Sequence, residues 1–258
     1  MPDEKPLILV TNDDGITAPG IRTLIKIMKT LGEVVVVAPD SPQSGMGHAI
    51  TLSDNLYCDP VILKKNETHK EFSCSGTPVD CVKIATQEIL HRKPDLCVSG
   101  INHGSNSSIN VIYSGTMSAA VEAGTEGIPA IGFSFLDYSL TANFEPIEKF
   151  VKTITQSVLK NSLPKGVVLN VNLPNLPESQ IKGIKVCRQA KAHWAEKFDK
   201  RTNPQGRDYY WLTGEFINED GGEDTDEWAL ENGYISIVPV QFDLTAHHVI
   251  QDLNSWGL

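Results

Sequence analysis

The first half of the chain alternates short apolar runs with segments of helical periodicity. Runs of apolar and β-branched residues predict buried strands at residues 8–11, 33–39, 95–100 and 128–135. Between them, apolar side chains recur every three or four positions, which predicts helices over residues 18–32, 77–92 and 114–124. Such repeated strand-helix-strand units connect through right-handed crossovers. We therefore predict an α/β fold with a doubly wound, mostly parallel, Rossmann-like sheet.

Local signals indicate where the predicted helices begin and end. Thr77, Pro78 and Asp80 are residue types that cap and begin a helix. Gly32 and Gly124 follow the last periodic residues of their helices, and a left-handed glycine commonly ends a helix there. We therefore expect the first and third helices to stop at these two glycines.

The pattern changes in the second half of the chain. Residues 145–161 predict one more helix and residues 166–174 one more strand. Later strand-like segments are separated by polar, glycine-rich stretches and cover residues 181–190, 207–216 and 233–242. We therefore divide the chain into a Rossmann-like core (residues 1–175) and a hairpin-rich C-terminal subdomain or arm (residues 176–258) packed on it.

Turn and cap residues add detail to this second half. Asn203, Pro204 and Gly206 predict a turn between two of its strands. Residues 243–256 predict a last short helix with Asp243 or Thr245 as its cap.

Composition limits the kinds of partner and the compartment. The chain has 258 residues, 40% of them apolar, and a formal charge of −10, which argues against a basic nucleic-acid surface. Five cysteines without a Cys-x-x-Cys pair fit reduced thiols. The N-terminus does not resemble a leader peptide, and no window reaches the roughly 18 apolar residues of a membrane helix. We expect a cytoplasmic protein with neither nucleic-acid nor membrane partners.

The first predicted strand ends in an unusual acidic pair, in the sequence "ILVTNDDGI". Asp13 and Asp14 can converge on one point only where the chain turns, and Gly15 permits that turn. Two adjacent carboxylates repel each other unless a divalent cation lies beside them. The alternative is that Asn12 and Asp13 only form a turn and that Asp14 caps the next helix.

Oxygen donors also follow the next two strands. Ser44 lies in "PDSPQSG", and Asn102 and Asn106 lie in "SGINHGSN", with His103 expected to point to solvent. Because parallel strands end at one edge of the sheet, these donors should meet there. Carboxylate, hydroxyl and amide oxygens suit Mg²⁺ or Mn²⁺, and the absence of a His or Cys cluster argues against zinc.

The N-terminus of a predicted helix should lie at the same edge of the sheet as these oxygen donors. Ser114, Gly115 and Thr116 open the helix in "YSGTMSAA", so its free N–H groups would face the same edge. Such a terminus can bind phosphate. The simpler alternative is that Ser114 or Thr116 only caps the helix.

Five segments together carry a specific resemblance: "ILVTNDDGI", "VVVVAPDSPQSGMGHAIT", "SGTPVDCV", "PDLCVSGINHGSN" and "YSGTMSAAVEAG". They resemble the motifs of the SurE (survival protein E) family of metal-dependent nucleotidases, and later segments extend the likeness over nearly the whole chain. The resemblance implies one Mn²⁺ or Mg²⁺ ion per subunit, held by Asp13, Asp14, Ser44 and Asn102. It places the substrate phosphate near Asn106, Ser114, Gly115 and Thr116.

The resemblance also implies an activity and an assembly. Members of the family hydrolyse nucleoside 5′- and 3′-monophosphates, and some shorten polyphosphate. They form homodimers or homotetramers that exchange C-terminal segments, so residues 176–258 would include an oligomerisation segment.

Our mechanistic hypothesis is that water activated by the metal ion attacks phosphorus directly, without a phosphoenzyme. Asp13 or Asp14 would act as the base, and His48, His247 and His248 are candidate proton donors, with surface or interface roles as the alternative. The rival functions are a nucleotide-binding sensor without turnover and a receiver-like phospho-switch. A receiver needs a phosphoacceptor aspartate after its third strand, where this chain has Ser99 to Asn102.

Overall fold

The computed structural model describes residues 5–62, 69–139 and 141–257. Strands in this part of the chain are β1 (Leu7–Thr11), β2 (Glu33–Pro39), β3 (Cys58–Val61), β4 (Lys70–Cys74), β5 (Leu96–His103), β6 (Ala130–Phe135), β7 (Val167–Leu173), β8 (Ile184–Val186), β9 (Ala192–Thr202), β10 (Asp208–Asn218) and β11 (Ile235–Gln241). The α-helices are α1 (Pro19–Met28), α2 (Pro78–Ile84), α3 (Gly115–Thr125), α4 (Glu148–Asn161), α5 (Asp226–Glu231) and α6 (Ile250–Asn254). In these ranges no helix has both the length and the apolar character that crossing a membrane requires.

Nine strands form one sheet in the order β3-β4-β2-β1-β5-β6-β7-β11-β8. The six strands from β4 to β7 in that order are mutually parallel, whereas β3 and β11 pair antiparallel to their neighbours β4 and β7. The doubly wound, mostly parallel α/β fold predicted from the sequence is thereby confirmed.

Helices cover both faces of this sheet and divide the core into two layers. Ile8 and Val10 of β1 pack with side chains from α1 and α4. Leu7 and Leu9 point to the other face, where they pack with side chains from α2 and α3. Because successive side chains of a strand alternate between faces, a strand covered on both sides is apolar at every position.

The helix ends follow the prediction only in part. Thr77 and Asp80 form the expected capping box of α2, which continues as a π-helix over Ala85–Ile89. The predicted C-terminal ends of two helices were wrong. Helix α1 ends at Met28 rather than at Gly32, and the left-handed glycine after α3 is Gly127, with φ 68°, rather than Gly124. Gly32 instead allows close packing, since a Cβ there would lie 2.2 Å from the Pro6 oxygen.

The second half contains the predicted hairpin and strands that the pattern missed. β9 and β10 pair antiparallel over eleven residues each, with the predicted turn residues between them. β9 was not predicted because its side chains are mostly exposed on both faces, which leaves no apolar alternation. β3 and β4, at the edge of the sheet, were also missed. β8 and β11 join the large sheet rather than the hairpin.

The final helix differs from its prediction in its cap. It consists of a 3₁₀ turn (His247–Val249) followed by α6, and neither part has a side-chain cap. Asp243 instead accepts hydrogen bonds from the Thr245 backbone N–H and the His247 ring. All five cysteines are free thiols, as the sequence predicted.

Candidate metal and phosphate site

The carboxyl ends of β1 and β5 lie side by side, and the acidic pair follows directly. Thr11 and Ser99 are register partners, and the next residue after Thr11, Asn12, is fully buried. The Asn12 amide donates to the Gly15 carbonyl over 2.9 Å, and Gly15 has a φ of 95°. The chain therefore turns at this point, as expected from the sequence, and places the two aspartates next to each other.

The helix-cap interpretation of the acidic pair is wrong. The N-cap of α1 is Ala18, which makes no side-chain cap hydrogen bond. The backbone oxygen of Asp13 accepts from the Gln43 N–H over 2.7 Å, so the loop after β2 is held against the same turn.

Burial places both carboxyl groups in an unfavourable setting for a negative charge. Burial, and then repulsion from Asp14, raises the pKa of Asp13 from 3.8 to about 6, against hydrogen bonds from Thr116. Burial also raises the pKa of Asp14, whereas the charge and backbone of His103 lower it. A divalent cation between these groups would restore both carboxylates to the ionised form.

Four buried side-chain oxygens at this edge have no hydrogen-bond partner within the described ranges. They are Thr11 Oγ1, Asn12 Oδ1, Asp14 Oδ2 and Ser99 Oγ, which we call the donor cluster. Buried polar atoms in native proteins are nearly always paired, so a group of this size fits a site that binds a ligand. The oxygen-only chemistry fits a hard divalent cation such as Mg²⁺ or Mn²⁺. Across residues 5–62, 69–139 and 141–257, no group of three or more His, Cys, Asp or Glu residues could hold a metal.

The N-terminus of α3 packs directly against Asp13. A Cβ added to Gly115 would lie 2.7 Å from the Cβ of Asp13, so only glycine fits there. The Thr116 hydroxyl donates to Asp13 Oδ1, and the Ser114 hydroxyl oxygen caps the helix by accepting from the Met117 N–H over 3.0 Å. The positive end of the helix dipole therefore lies beside the acidic pair, which is where an anion would be bound.

The other sequence-predicted residues lie around this edge in different environments. The Asn102 amide group donates to the His103 and Gly104 carbonyls, which leaves its side-chain oxygen as an acceptor. Ser44 is exposed and follows Gln43, which is bonded to Asp13. Asn106 is buried, and its amide nitrogen donates to Ser134 Oγ over 2.7 Å.

Comparison with known proteins shows which family the chain belongs to. The family model "Survival protein SurE" matches residues 8–196. The chain belongs to the SurE family. It is 79% identical to "5′-nucleotidase SurE" of Christiangramia forsetii, over 100% of this chain and 99% of the relative. It is 74% identical to the protein of that name from Flavobacterium johnsoniae, with the same coverage. The crystal structure of the SurE protein from Aquifex aeolicus superposes with a TM-score of 0.83 at 41% identity, covering 98% of this chain and 100% of that one.

The histidines of this chain lie in different surroundings, and one of them departs from its expectation. His103 is half-buried rather than pointing to solvent: its Nδ1 is 3.1 Å from the Ser139 carbonyl, and its ring contacts Phe144 edge to face. It also acts on the pKa of Asp14, so it lies near the acidic pair. His48 pairs with Glu122 of α3, and His247 pairs with Asp243 near the C-terminus.

A second group of polar residues holds the loop after β5, and the sequence analysis did not predict it. Asn172 Oδ1 accepts from the Asn106 N–H over 2.8 Å, and the Asn170 amide donates to the Asn106 carbonyl over 2.8 Å. Asp226, fully buried, accepts from the Ser108 and Ala190 backbone N–H groups, each over 2.8 Å. We call Asn106, Ser108, Asn170, Asn172 and Asp226 the bonded network. The signal that pointed to it is the pair of asparagines in the otherwise apolar strand β7.

Proposed function

We propose that the chain is a metal-dependent phosphomonoesterase that hydrolyses nucleoside 5′-monophosphates to nucleoside and phosphate. The observation that carries the proposal is the buried acidic pair: Asp14 Oδ2 belongs to the donor cluster, and Asp13 packs against Gly115 at the N-terminus of α3. The name 5′-nucleotidase SurE, given to relatives of 79% and 74% identity over their full length, supports a nucleotidase rather than a sensor or phospho-switch.

We assign the ion to Asp13, Asp14, Ser44 and Asn102. Asp14 Oδ2 is buried without a described partner, and the Asn102 side-chain oxygen remains an acceptor, so both can take a cation ligand role. A divalent ion held there, Mn²⁺ or Mg²⁺, would neutralise charge on phosphoryl oxygens and would lower the pKa of a water molecule. We propose one such ion per subunit, as the family resemblance implies.

The residues around the ion would bind and orient the phosphate. N–H groups of Gly115 and Thr116 and the Ser114 hydroxyl lie at the positive end of α3, where they can stabilise developing charge on phosphorus-bound oxygens. Asn106 is assigned to the same phosphate, although its amide already donates to Ser134. Either Asp13 or Asp14 accepts the proton of the attacking water.

We extend the proposal to substrate range, assembly and compartment, which the family resemblance suggests. Nucleoside 3′-monophosphates and polyphosphate are the additional substrates, and the protein acts in the cytoplasm. Residues 176–258 form an arm and oligomerisation segment of a homodimer or homotetramer. Large apolar side chains on the hairpin and the C-terminal segment support this, since Phe198, Trp211, Leu244 and Trp256 are exposed.

The test is phosphate release from nucleoside 5′- and 3′-monophosphates with Mn²⁺, with Mg²⁺ and with EDTA. We expect release with a divalent metal and none with EDTA. Asp13→Asn should abolish release, whereas the control Asp59→Asn, an exposed carboxylate on edge strand β3, should not. Activity that persists in EDTA would contradict the metal assignment, and the absence of release from every nucleotide would contradict the function.

A further inference from the structure

A cavity of about 600 Å³ lies between the core and the hairpin, outside the residues assigned above. We call it the arm pocket. It is lined by Gly45 and Tyr113 from the core and by Trp194, Glu196, Leu212 and Gly214 from the hairpin. Its volume falls in the range of small-molecule sites, which are mostly apolar with a few polar groups.

The arm pocket adjoins the proposed phosphate site through two short pieces of chain. Tyr113 directly precedes Ser114, the N-cap of α3. Gly45 directly follows Ser44, and this loop is held at both ends: Gln43 N–H donates to the Asp13 carbonyl over 2.7 Å, and Gly47 N–H donates to the Tyr113 carbonyl over 3.2 Å. A ligand with its phosphate at α3 would therefore extend toward Tyr113 and the hairpin.

Two aromatic side chains give the pocket the chemistry of a base-binding site. Tyr113 is 48% exposed and Trp194 is 41% exposed, so ring surface of both is available to a ligand. Trp194 is held in one orientation by its Nε1–H, which donates to Asn110 Oδ1 over 2.8 Å, and by an edge-to-face contact with Phe216. Every nucleobase has a π-face that can stack on such a ring.

The hairpin leaves room for a base beside Trp194. Glu196 is two residues further along the same strand and therefore lies on the same face, where its register partner is Gly214. Gly214 also lines the pocket, and a Cβ there would lie 2.9 Å from the Ala195 oxygen of the neighbouring strand, so only glycine fits. The Glu196 carboxylate supplies a hydrogen-bond acceptor for N–H groups on a base edge.

We propose that the arm pocket binds the nucleobase of the substrate by stacking on Trp194 and Tyr113. This rests on the proposed function and deepens it, because it explains why the enzyme would prefer nucleotides to other phosphate esters. The hairpin then contributes to substrate selection as well as to assembly.

The test compares AMP with ribose 5-phosphate, which has the same phosphate and sugar but no base. For the wild type, kcat/KM should be higher for AMP. Trp194→Ala and Tyr113→Ala should each lower the ratio of the two kcat/KM values by about tenfold. Trp194→Phe should largely restore it, because it keeps a stacking ring.

Trp211→Ala is the matched control, since Trp211 is on the same hairpin, is 59% exposed and does not line the pocket. Its AMP to ribose 5-phosphate ratio should equal that of the wild type. An equal fall in Trp211→Ala, or no fall in Trp194→Ala and Tyr113→Ala, would overturn the proposal while leaving phosphate release, and therefore the nucleotidase function, intact.

A binding measurement decides the question without turnover. AMP should quench tryptophan fluorescence in the wild type and in Trp211→Phe, and this quenching should be lost in Trp194→Phe. Quenching that survives in Trp194→Phe would overturn the assignment of the base to the arm pocket, whether or not the protein releases phosphate.

Discussion

The donor cluster and the bonded network lie at the same edge of the sheet, yet they differ in whether their buried polar atoms have hydrogen-bond partners. In the donor cluster, Asn12 Oδ1 and Asp14 Oδ2 are buried without a partner in the described ranges. In the bonded network, Asp226 accepts three backbone N–H groups, from Ser108, Ala190 and Glu227. One region leaves buried oxygens open, and the other uses them to fix the backbone.

Both regions consist of buried polar residues, but the difference in hydrogen bonding distinguishes residues that bind a ligand from residues that stabilise the fold. An unpaired buried oxygen costs free energy in the folded state, and a bound ligand can offset that cost. A paired one stabilises the loop that carries it. Substitutions in the donor cluster and at the neighbouring Asp13 should therefore affect activity. Substitutions in the bonded network should affect stability, and only Asn106 of that network is also assigned to the phosphate.

The largest effect is expected for the acidic pair. Asp13→Asn should lower kcat/KM for AMP by about a thousandfold or more, since it removes a charged cation ligand and the counter-charge for the reaction. The melting temperature of the metal-free variant should not fall, because asparagine removes a buried charge repelled by Asp14 and can still accept from Thr116. Steady-state kinetics and thermal unfolding in EDTA measure the two effects.

Titration with Mn²⁺ by calorimetry provides the control for this comparison. Asp13→Asn should bind the ion at least tenfold more weakly than the wild type. A variant that loses activity and also melts well below the metal-free wild type would place Asp13 with the structural residues and remove the distinction between the two regions.

In the bonded network, Asp226→Ala should lower the free energy of unfolding by about 4 kcal/mol, because buried backbone N–H donors lose their acceptor. Urea unfolding measures this change. The matched control is Asp224→Ala, an exposed carboxylate that pairs with Arg188, for which we expect less than about 1 kcal/mol. A stable Asp226→Ala protein would mean that this network is not what fixes the loop after β5.

The raised pKa of Asp13 predicts a pH dependence of stability for the metal-free protein. The folded-state pKa of about 6 lies above the ordinary aspartate pKa of 3.8, so the folded state binds this proton more tightly than the unfolded state. The resulting stabilisation is full below about pH 3.8 and is lost as the pH rises through 6. It amounts to at most about 3 kcal/mol.

The measurement is the difference in unfolding free energy between Asp13→Asn and the wild type, in EDTA, from pH 4 to pH 7. The difference should grow in favour of the variant as the pH rises, since only the wild type loses its proton. A difference that stays constant across this range would show that Asp13 does not titrate differently in the folded and unfolded states.

Sequence reasoning reached the acidic pair at the end of β1 because its signals are local. Asp13, Asp14 and Gly15 are adjacent in the chain, and the topology of a parallel sheet brings the ends of β1 and β5 together. The two strands could be predicted because strands buried on both faces consist of continuous runs of apolar residues. The same rule explains the failure at β9, whose exposed side chains follow no burial pattern.

The bonded network could not be predicted because its partners are far apart in sequence. Asn106 and Asn172 are separated by 66 positions, and Ser108 and Asp226 by 118. Nothing local distinguishes these residues from ordinary loop and cap residues. The pKa of Asp13 likewise depends on burial by elements that meet only in the folded protein.

The smallest effect is expected for Ser114, whose single hydroxyl group has both a structural role and a proposed role in phosphate binding. Its oxygen caps α3 by accepting from Met117 N–H, and its proton remains available to a phosphate oxygen. Ser114→Ala should therefore lower stability by about 1 kcal/mol through loss of the cap and also lower kcat/KM for AMP by about tenfold. Ser114→Gly, which costs a helix cap only a few tenths of a kcal/mol, should show the same loss of activity with little loss of stability. If both variants keep wild-type kcat/KM, Ser114 belongs with the structural residues, and the phosphate is held by the backbone of α3 alone.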